Sequence, residues 1–314
     1  MNTNEQSNIQ FAIFCVIIIL NVIMNSLVIA VIARYPQLRE DRTTLFMFSL
    51  SVSDLAAGCT YMPISVVLCY GARPGVADIV GFFPKLQLFA LWWFSFNSMH
   101  SLCWVTISKA ILIMKPFEAE QLLTRKRCYV IIALIWTVGC LLATVNFSVH
   151  VTVNAVSCTY SIPANDHVVK AGYLTFFVIG VVLPISLIIY GTVRILIVVV
   201  RTHRQISALE QSVAVGDNSN GNTGFVTVQA IRSSKSVIVI CIVSLLLNTP
   251  TLAYAVLDNV TDTHLPYMFN FVCIRIFESN TFVNSLLYLI LFKSVRQKVV
   301  LMSHAVIVYL CARR

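Results

Sequence analysis

Seven stretches of the chain are apolar over a length sufficient to cross a bilayer: about 9–33, 43–70, 82–114, 128–147, 168–200, 232–257 and 267–291. At a helical rise of about 1.5 Å per residue, each covers a hydrocarbon core about 30 Å thick, and the longer ones tilt or project beyond it. Inside lipid only a helix satisfies its own backbone groups, so these runs are read as helices and not strands. After the seventh run, FKSVRQKVVLMSHAVIVYLCARR places basic residues at 293, 296 and 298 among apolar ones, which suits a helix lying in the inner interface. Cys311 in that tail is a candidate for palmitoylation, with an unmodified apolar tail as the alternative. The pattern predicts an all-α membrane protein, a seven-transmembrane helix bundle with a C-terminal interfacial helix. Residues 1–8 form a short extracellular N-terminus, 9–291 the bundle, and 292–314 the interfacial helix and cytoplasmic tail.

Polar positions interrupt these runs, and they are few. The first run holds Asn25; the second, Asp54; the third, Asn97, Ser98 and His100; the fourth, Trp136. Asn248 stands beside Pro250 in the sixth, and the seventh holds Glu278, Asn280, Thr281, Asn284 and Tyr288. An aspartate near the bilayer centre costs about 2.5–3.5 kcal/mol on insertion scales, so Asp54 is expected to face the bundle interior and to have partners there.

Composition agrees with a membrane chain. Of 314 residues, 58% are apolar and 11% charged, against about 25% charged in soluble domains, and mean hydropathy is +0.83. The formal charge of +9 is informative through its sidedness. With residue 1 outside, Arg73, Lys85, Lys170 and Arg275 are the outer basic residues, and the remaining 18 of 22 fall at inner ends, inner loops or the tail. That places the N-terminus outside and the C-terminus in the cytoplasm, and argues for basic residues near lipid headgroups rather than for a nucleic-acid partner. Two glycosylation sequons, at Asn146 and Asn259, fall on the outer side under the same orientation. The first run is too long for a cleavable signal peptide and is read as an uncleaved span, with too little chain before it for a ligand-binding ectodomain. The third inner loop contains GDNSNGNTG (216–224), which has no apolar face and is expected to be mobile. No nucleophile–base set is readable, and the ten cysteines and six histidines show no metal-ligand spacing, so no enzymatic activity and no cofactor is expected beyond a candidate sodium ion.

The stretches MNSLVIAVI with Asn25, LFMFSLSVSDLAAG with Asp54, MKPF (114–117), IWTVG with Trp136, LPISLIIYG with Pro184 and Tyr190, NTP with Pro250, and FVNSLLY with Asn284 and Tyr288 follow one another in order. This series resembles the rhodopsin-like (class A) G-protein-coupled receptors over nearly the whole chain. The resemblance implies that Asp54, Ser98, Asn280 and Asn284 enclose a sodium ion; a hydrogen-bonded network with water is the alternative. Asn280 and Asn284 share a helix face at i, i+4.

Departures from the family pattern are as informative. Its Asp-Arg-Tyr reads Ser108-Lys109-Ala110, so a cation remains without the planar fork of arginine or the acidic neighbour that restrains it. Its sixth-span tryptophan is replaced by Asn248, and the proline of its seventh-span motif by Ser285. The fifth-span gap from Pro184 to Tyr190 is two residues short, which leaves that span's register open. Its outer disulfide would join Cys158 to position 84, which is Pro84; Cys69 and Cys273 are candidate substitutes, and a free Cys158 is the alternative. Its amine-binding aspartate is Leu91, and its retinal-binding lysine is Glu278, so neither an ordinary monoamine receptor nor an opsin is expected. A ligand pocket is expected at Leu91, Trp92, Asn248 and Glu278. Glu278 has two readings: facing Leu91, Trp92, Phe94 and Asn97 to meet a cationic ligand, or paired internally with Arg275.

The implied function is a plasma-membrane receptor that binds an extracellular small molecule or short peptide. Its inner face would then activate a heterotrimeric G protein through Lys109, Arg125, Lys126, Arg127 and Arg232, each of which has the alternative of a lipid headgroup contact. Two other classes stay open: a receptor-fold protein that does not couple, acting as scavenger or heteromer partner, and a transporter or channel, against which stands the lack of an inverted repeat.

Overall fold

A computed structural model describes residues 3–70, 78–147, 152–154, 159–161, 167–213, 221–260 and 267–312. The first span is α1 (Thr3–Arg34), which already includes residues assigned from the sequence to a separate N-terminus. A 3-10 turn (Pro36–Glu40) leads to α2 (Arg42–Cys59), capped by the carboxylate of Asp41, which accepts from the Thr43 backbone N–H at 3.1 Å. The second span breaks at Thr60 and resumes as α3 (Tyr61–Tyr70). Pro63 explains the break: it has no N–H for the carbonyl of Cys59 and crowds it sterically.

The third span is α4 (Phe82–Met114), 33 residues long, which packs against α2 and the fourth and fifth spans. A short helix between the third and fourth spans, α5 (Pro116–Leu122), starts on a proline at its first position, and α6 (Arg125–Ala143) follows from the Thr124 cap. The fifth span comprises α7 (His167–Phe177), a π-helical turn (Val178–Val182) and α8 (Leu183–Val213). The widened turn stands just before Pro184, where the missing N–H leaves the Gly180 carbonyl without its helical donor. This settles how the short Pro184-to-Tyr190 gap is used. Tyr190 is 61% exposed and turned outward, so it is no inward marker residue. The sixth span is α9 (Gly221–Val260) with Pro250 inside it, the seventh is α10 (Tyr267–Leu291), and α11 (Lys293–Ala312) follows as the tail helix. α9 takes in the end of the polar 216–224 stretch; residues 214–220 lie outside the described residues.

A small antiparallel sheet, absent from the sequence reading, joins the loop between the second and third spans to the loop between the fourth and fifth: β1 (Asp78–Val80), β2 (Thr152–Asn154) and β3 (Thr159–Ser161) in that order. Three-residue strands are too short to show a period-two pattern. Cys69, just before this region, is in a disulfide, whereas Cys273 is a free thiol and so is no partner for an outer bridge; Cys158 lies outside the described residues.

By length and composition five helices cross a membrane among the described residues, namely those within Asn8–Arg34, Arg42–Tyr70, Arg125–Ala143, Leu174–Thr202 and Lys235–Tyr254. The other two spans, α4 and α10, pack among them, and the polar residues along them lower their hydropathy. Large apolar side chains such as Ile19, Leu134, Leu141 and Leu246 are exposed on the outside, where lipid rather than water is their solvent.

Two apolar clusters fill the interior. One contains Val28, Leu50, Leu102, Ile240 and Tyr288; the other contains Phe14, Ala57, Met62 and Phe94. Asn21 and Asn25 of α1, Asp54 of α2, and Asn97, Ser98 and Ser101 of α4 fall between members of the two clusters, so a polar layer separates two apolar ones along the bundle axis. Small residues let helices approach closely. A Cβ on Gly139 of α6 would sit 2.8 Å from the Phe96 ring of α4.

Gly139→Val is therefore expected to lower the thermal midpoint of the purified receptor by an overpacking penalty of about 1–3 kcal/mol. Combining it with Phe96→Leu should recover part of that loss. An unchanged midpoint in the single variant would argue against close packing of these two helices.

Candidate functional site

The polar layer is built from residues distant in sequence. Asp54 is 1% exposed, with Ser98 and Asn284 as its neighbouring side chains. Oδ2 of Asp54 and Nδ2 of Asn284 are nonetheless buried without a hydrogen-bond partner. Beside them is a chamber of about 20 Å³ whose lining includes Asp54, Ser98, Asn280 and Thr281. That volume holds one water-sized group. Asn284 does not line the chamber. It is held through Ser244 of α9, whose hydroxyl points at Oδ1 of Asn280 (3.0 Å) and Oδ1 of Asn284 (2.7 Å). Ser244 was not anticipated from the sequence, because a serine in an apolar run has no local signature.

Asn25 lies in a second string of contacts beside this chamber. Its Nδ2 donates to Oδ1 of Asn21 (2.6 Å) and to the Thr281 carbonyl (3.0 Å), while Asn21 donates to Oγ1 of Thr281 (2.9 Å). Ser285, in the position of the family's proline, donates to Oδ1 of Asn25 at 2.6 Å and shares a hydrogen bond with Ser51. The lost proline is thus replaced by a hydroxyl that ties α10 to α1 and α2. Trp136 donates to Ser49, which in turn contacts Ser101, so α6, α2 and α4 are joined in the same way.

Above this layer lies a cavity of about 320 Å³ between α4, the π-helical turn, α9 and α10. Leu91, Trp92 and Asn248 line it, as the sequence suggested, together with Phe176, Thr251 and Phe277. Trp92 stacks on Phe176 with ring centroids 4.1 Å apart. No charged residue lines it among the described residues. Ser95, Met99, Asn248 and Phe277 line both this cavity and the polar chamber.

Glu278 is not part of that cavity. It forms a buried ion pair with Arg275 at 2.5 Å, and the Arg275 guanidinium lies 3.7 Å from the Phe14 ring centre of α1. Of its two readings the internal pair is the one present, and the expectation that Glu278 faces Leu91, Trp92, Phe94 and Asn97 is corrected. The helical turn from 275 to 278 brings the two charges to one face, and the face chosen is the one toward α1.

Near the C-terminal end of α4, Lys109 is not without an acidic neighbour. Its Nζ is 3.9 Å from Oδ2 of Asp41, the residue that caps α2, and Ser108 donates to Oγ1 of Thr43 at 3.2 Å. The acidic neighbour absent from the third span's own sequence is therefore supplied by the loop between the first and second spans. Arg125 is 3.9 Å from Glu40, and both side chains are more than half exposed, so that pair contributes little. Arg127 donates to the carbonyls of Gln121 and Leu122. With Lys126 it borders a groove lined by Trp104, Ile111 and Val130. Arg232, Asn146 and Asn259 fall within helical segments, but their side chains lie outside the described residues, as does that of Cys311.

The chain matches the model of the 7 transmembrane receptor (rhodopsin family) over residues 24–288. Among known proteins it is similar to the D(1A) dopamine receptor of Didelphis virginiana, 27% identical over 68% of this chain and 49% of that receptor. The D(1A) dopamine receptor of Xenopus laevis is 26% identical over 70% of this chain and 51% of that receptor. The neuromedin-U receptor 2 of Mus musculus is 33% identical over 44% of this chain and 34% of that receptor. The chain thus spans about half the length, or less, of these relatives. Seven packed helices, a polar layer centred on Asp54 and a family match running from within the first span into the seventh lead to one conclusion: the chain is a multi-pass membrane protein belonging to the rhodopsin family of seven-transmembrane receptors, and it is not an enzyme.

Proposed function

We propose that this receptor acts at the plasma membrane, with its N-terminus outside and its C-terminus in the cytoplasm, and that it couples an extracellular ligand to a heterotrimeric G protein. The observation that carries this reading is the outer cavity and its shared wall with the polar chamber. A ligand there touches α4, α9 and α10 together, and any ligand that favours one arrangement of those helices shifts the population toward it. The cavity's volume suits a small molecule or the end of a short peptide. The names of the relatives, an amine receptor and a peptide receptor, span those two classes. Leu91 in an uncharged wall argues against the amine being held at that position. Inner loops and tail carry most of the basic residues, which fits contact with a G protein and with anionic lipid.

Sodium fits the chamber. Asp54 Oδ2 is an unpaired carboxylate oxygen, Ser98 and Asn280 add oxygens, and a hard cation takes such ligands. A bound cation would supply a fixed positive charge that balances Asp54 and holds α2, α4 and α10 together.

A second reading, a receptor-fold protein that does not couple, draws support from Lys109 being held by Asp41 and from Tyr288 being fully buried with its hydroxyl unpartnered. Expression with each G-protein class and a broad ligand library distinguishes the two. Activation in any arm supports coupling, and silence in all arms despite surface expression supports the second reading.

Two further outcomes follow. The thermal midpoint of the purified receptor should be higher in sodium chloride than in equal N-methylglucamine chloride, worth about 1.4 kcal/mol at ten times Kd. Asp54→Asn should abolish that difference, and equal midpoints for the unmodified receptor would count against a sodium site. Lys109→Ala and Asp41→Asn should each raise basal second-messenger output by freeing the inner end of α4. Unchanged output from both, at matched surface levels, would show that the pair does not restrain the receptor.

A further inference from the structure

The outer cavity and the polar chamber are separated by little. Ser95, Met99, Asn248 and Phe277 border both spaces, and Asp54 lies in the lower one. Asn248 donates its Nδ2 to the Ser244 carbonyl at 2.6 Å, and its amide oxygen makes no hydrogen bond among the described residues. Ser95 likewise makes none. Met99 is a flexible thioether that repacks readily. Below this partition, Oδ2 of Asp54 is a buried, unpaired acceptor in a chamber of about 20 Å³. Above it, the walls are aromatic and uncharged: Trp92, Phe96, Phe176 and Phe277.

From this arrangement we infer that the ligand is an elongated molecule with an aromatic, uncharged body and one small cationic or hydrogen-donating end, and that this end passes Asn248 to reach Asp54. The inference rests on the outer cavity being the ligand site and adds the chemistry of what enters it. The upper walls offer aromatic faces for the body and, at Ser95 and Asn248, acceptors along the way. The chamber admits a single heavy-atom group such as a primary ammonium, which replaces the chamber's water or sodium. A carboxylate end would meet the Asp54 charge with no cation in the lining to offset it, so anionic ligands are disfavoured. A bulky ring at position 248 would close the passage; an asparagine leaves it open.

Three naphthalene probes of equal length test this on the full-length receptor in lipid nanodiscs: 2-(2-naphthyl)ethylamine, 2-(2-naphthyl)ethanol and 2-naphthylacetate. Their affinities are read from the shift of the thermal midpoint with concentration. The amine should bind at least ten-fold tighter than the carboxylate, with the alcohol between them. That advantage should shrink when sodium chloride replaces N-methylglucamine chloride, because the ammonium and sodium compete for one chamber. Asp54→Asn should bring the amine to the level of the alcohol. Asn248→Trp, which leaves the Asp54 charge untouched, should remove the amine's advantage while the alcohol still binds. Equal binding of amine and carboxylate, or an amine advantage that survives Asn248→Trp, overturns the inference while leaving the outer cavity as a ligand site. Failure of all three probes to shift the midpoint overturns both.

Discussion

The structure depends on keeping a few polar groups satisfied inside a bundle whose outside is lipid. In water an unpaired side chain can turn to solvent; here Asp54, Asn25, Asn280 and Asn284 have only one another and the neighbouring helices. Their contacts between helices join residues 36 to 260 positions apart, from Ser244–Asn280 at one extreme to Ser285–Asn25 at the other. Each such bond therefore fixes one helix against another. The apolar clusters above and below supply contact area but little direction, since one apolar face slides past another more readily than a donor leaves its acceptor.

The same layer connects the two ends of the molecule. α4 carries Trp92 in the outer cavity, Ser98 beside Asp54, and Lys109 at the inner end. α9 carries Thr251 in the cavity, Asn248 in the shared wall, and Ser244 against α10. A displacement of either helix at the cavity cannot leave the polar layer unchanged, because both helices contribute to it. For the proposed coupling, this supplies a physical basis that does not need the tryptophan found in the sixth span of the family. It also assigns the departures from the family pattern work of a different kind. Ser285 replaces a backbone constraint with a side-chain tie, and Asp41 replaces a neighbour in sequence with a neighbour in space.

Much of this was legible from the chain alone, and the rest was hidden for definite reasons. The seven spans were visible because lipid demands long apolar runs. The members of the polar layer were visible because a polar residue inside such a run is costly and therefore rare. Leu91, Trp92 and Asn248 could be placed at a cavity by register within the family pattern. Glu278 could not be assigned, since a carboxylate with an arginine at i−3 has two faces open to it and sequence does not say which one α1 covers. Asp41 and Ser244 escaped notice because they are unremarkable in their own segments, a helix cap and a serine among leucines. The strands β1, β2 and β3 escaped notice because three residues carry no period.

The sequence by itself determined the solvent of this protein, the number of its spans and the polar residues its interior must accommodate. All of these follow from local composition measured against the cost of placing polar groups in hydrocarbon. Only the tertiary structure decided how those residues are shared out. Asp54 opens on a chamber, Glu278 is tied to Arg275 beneath Phe14, Lys109 meets Asp41, and Asn248 stands between cavity and chamber. The azimuth at which a helix faces its neighbours is set by packing across the whole bundle, and no segment carries that information alone.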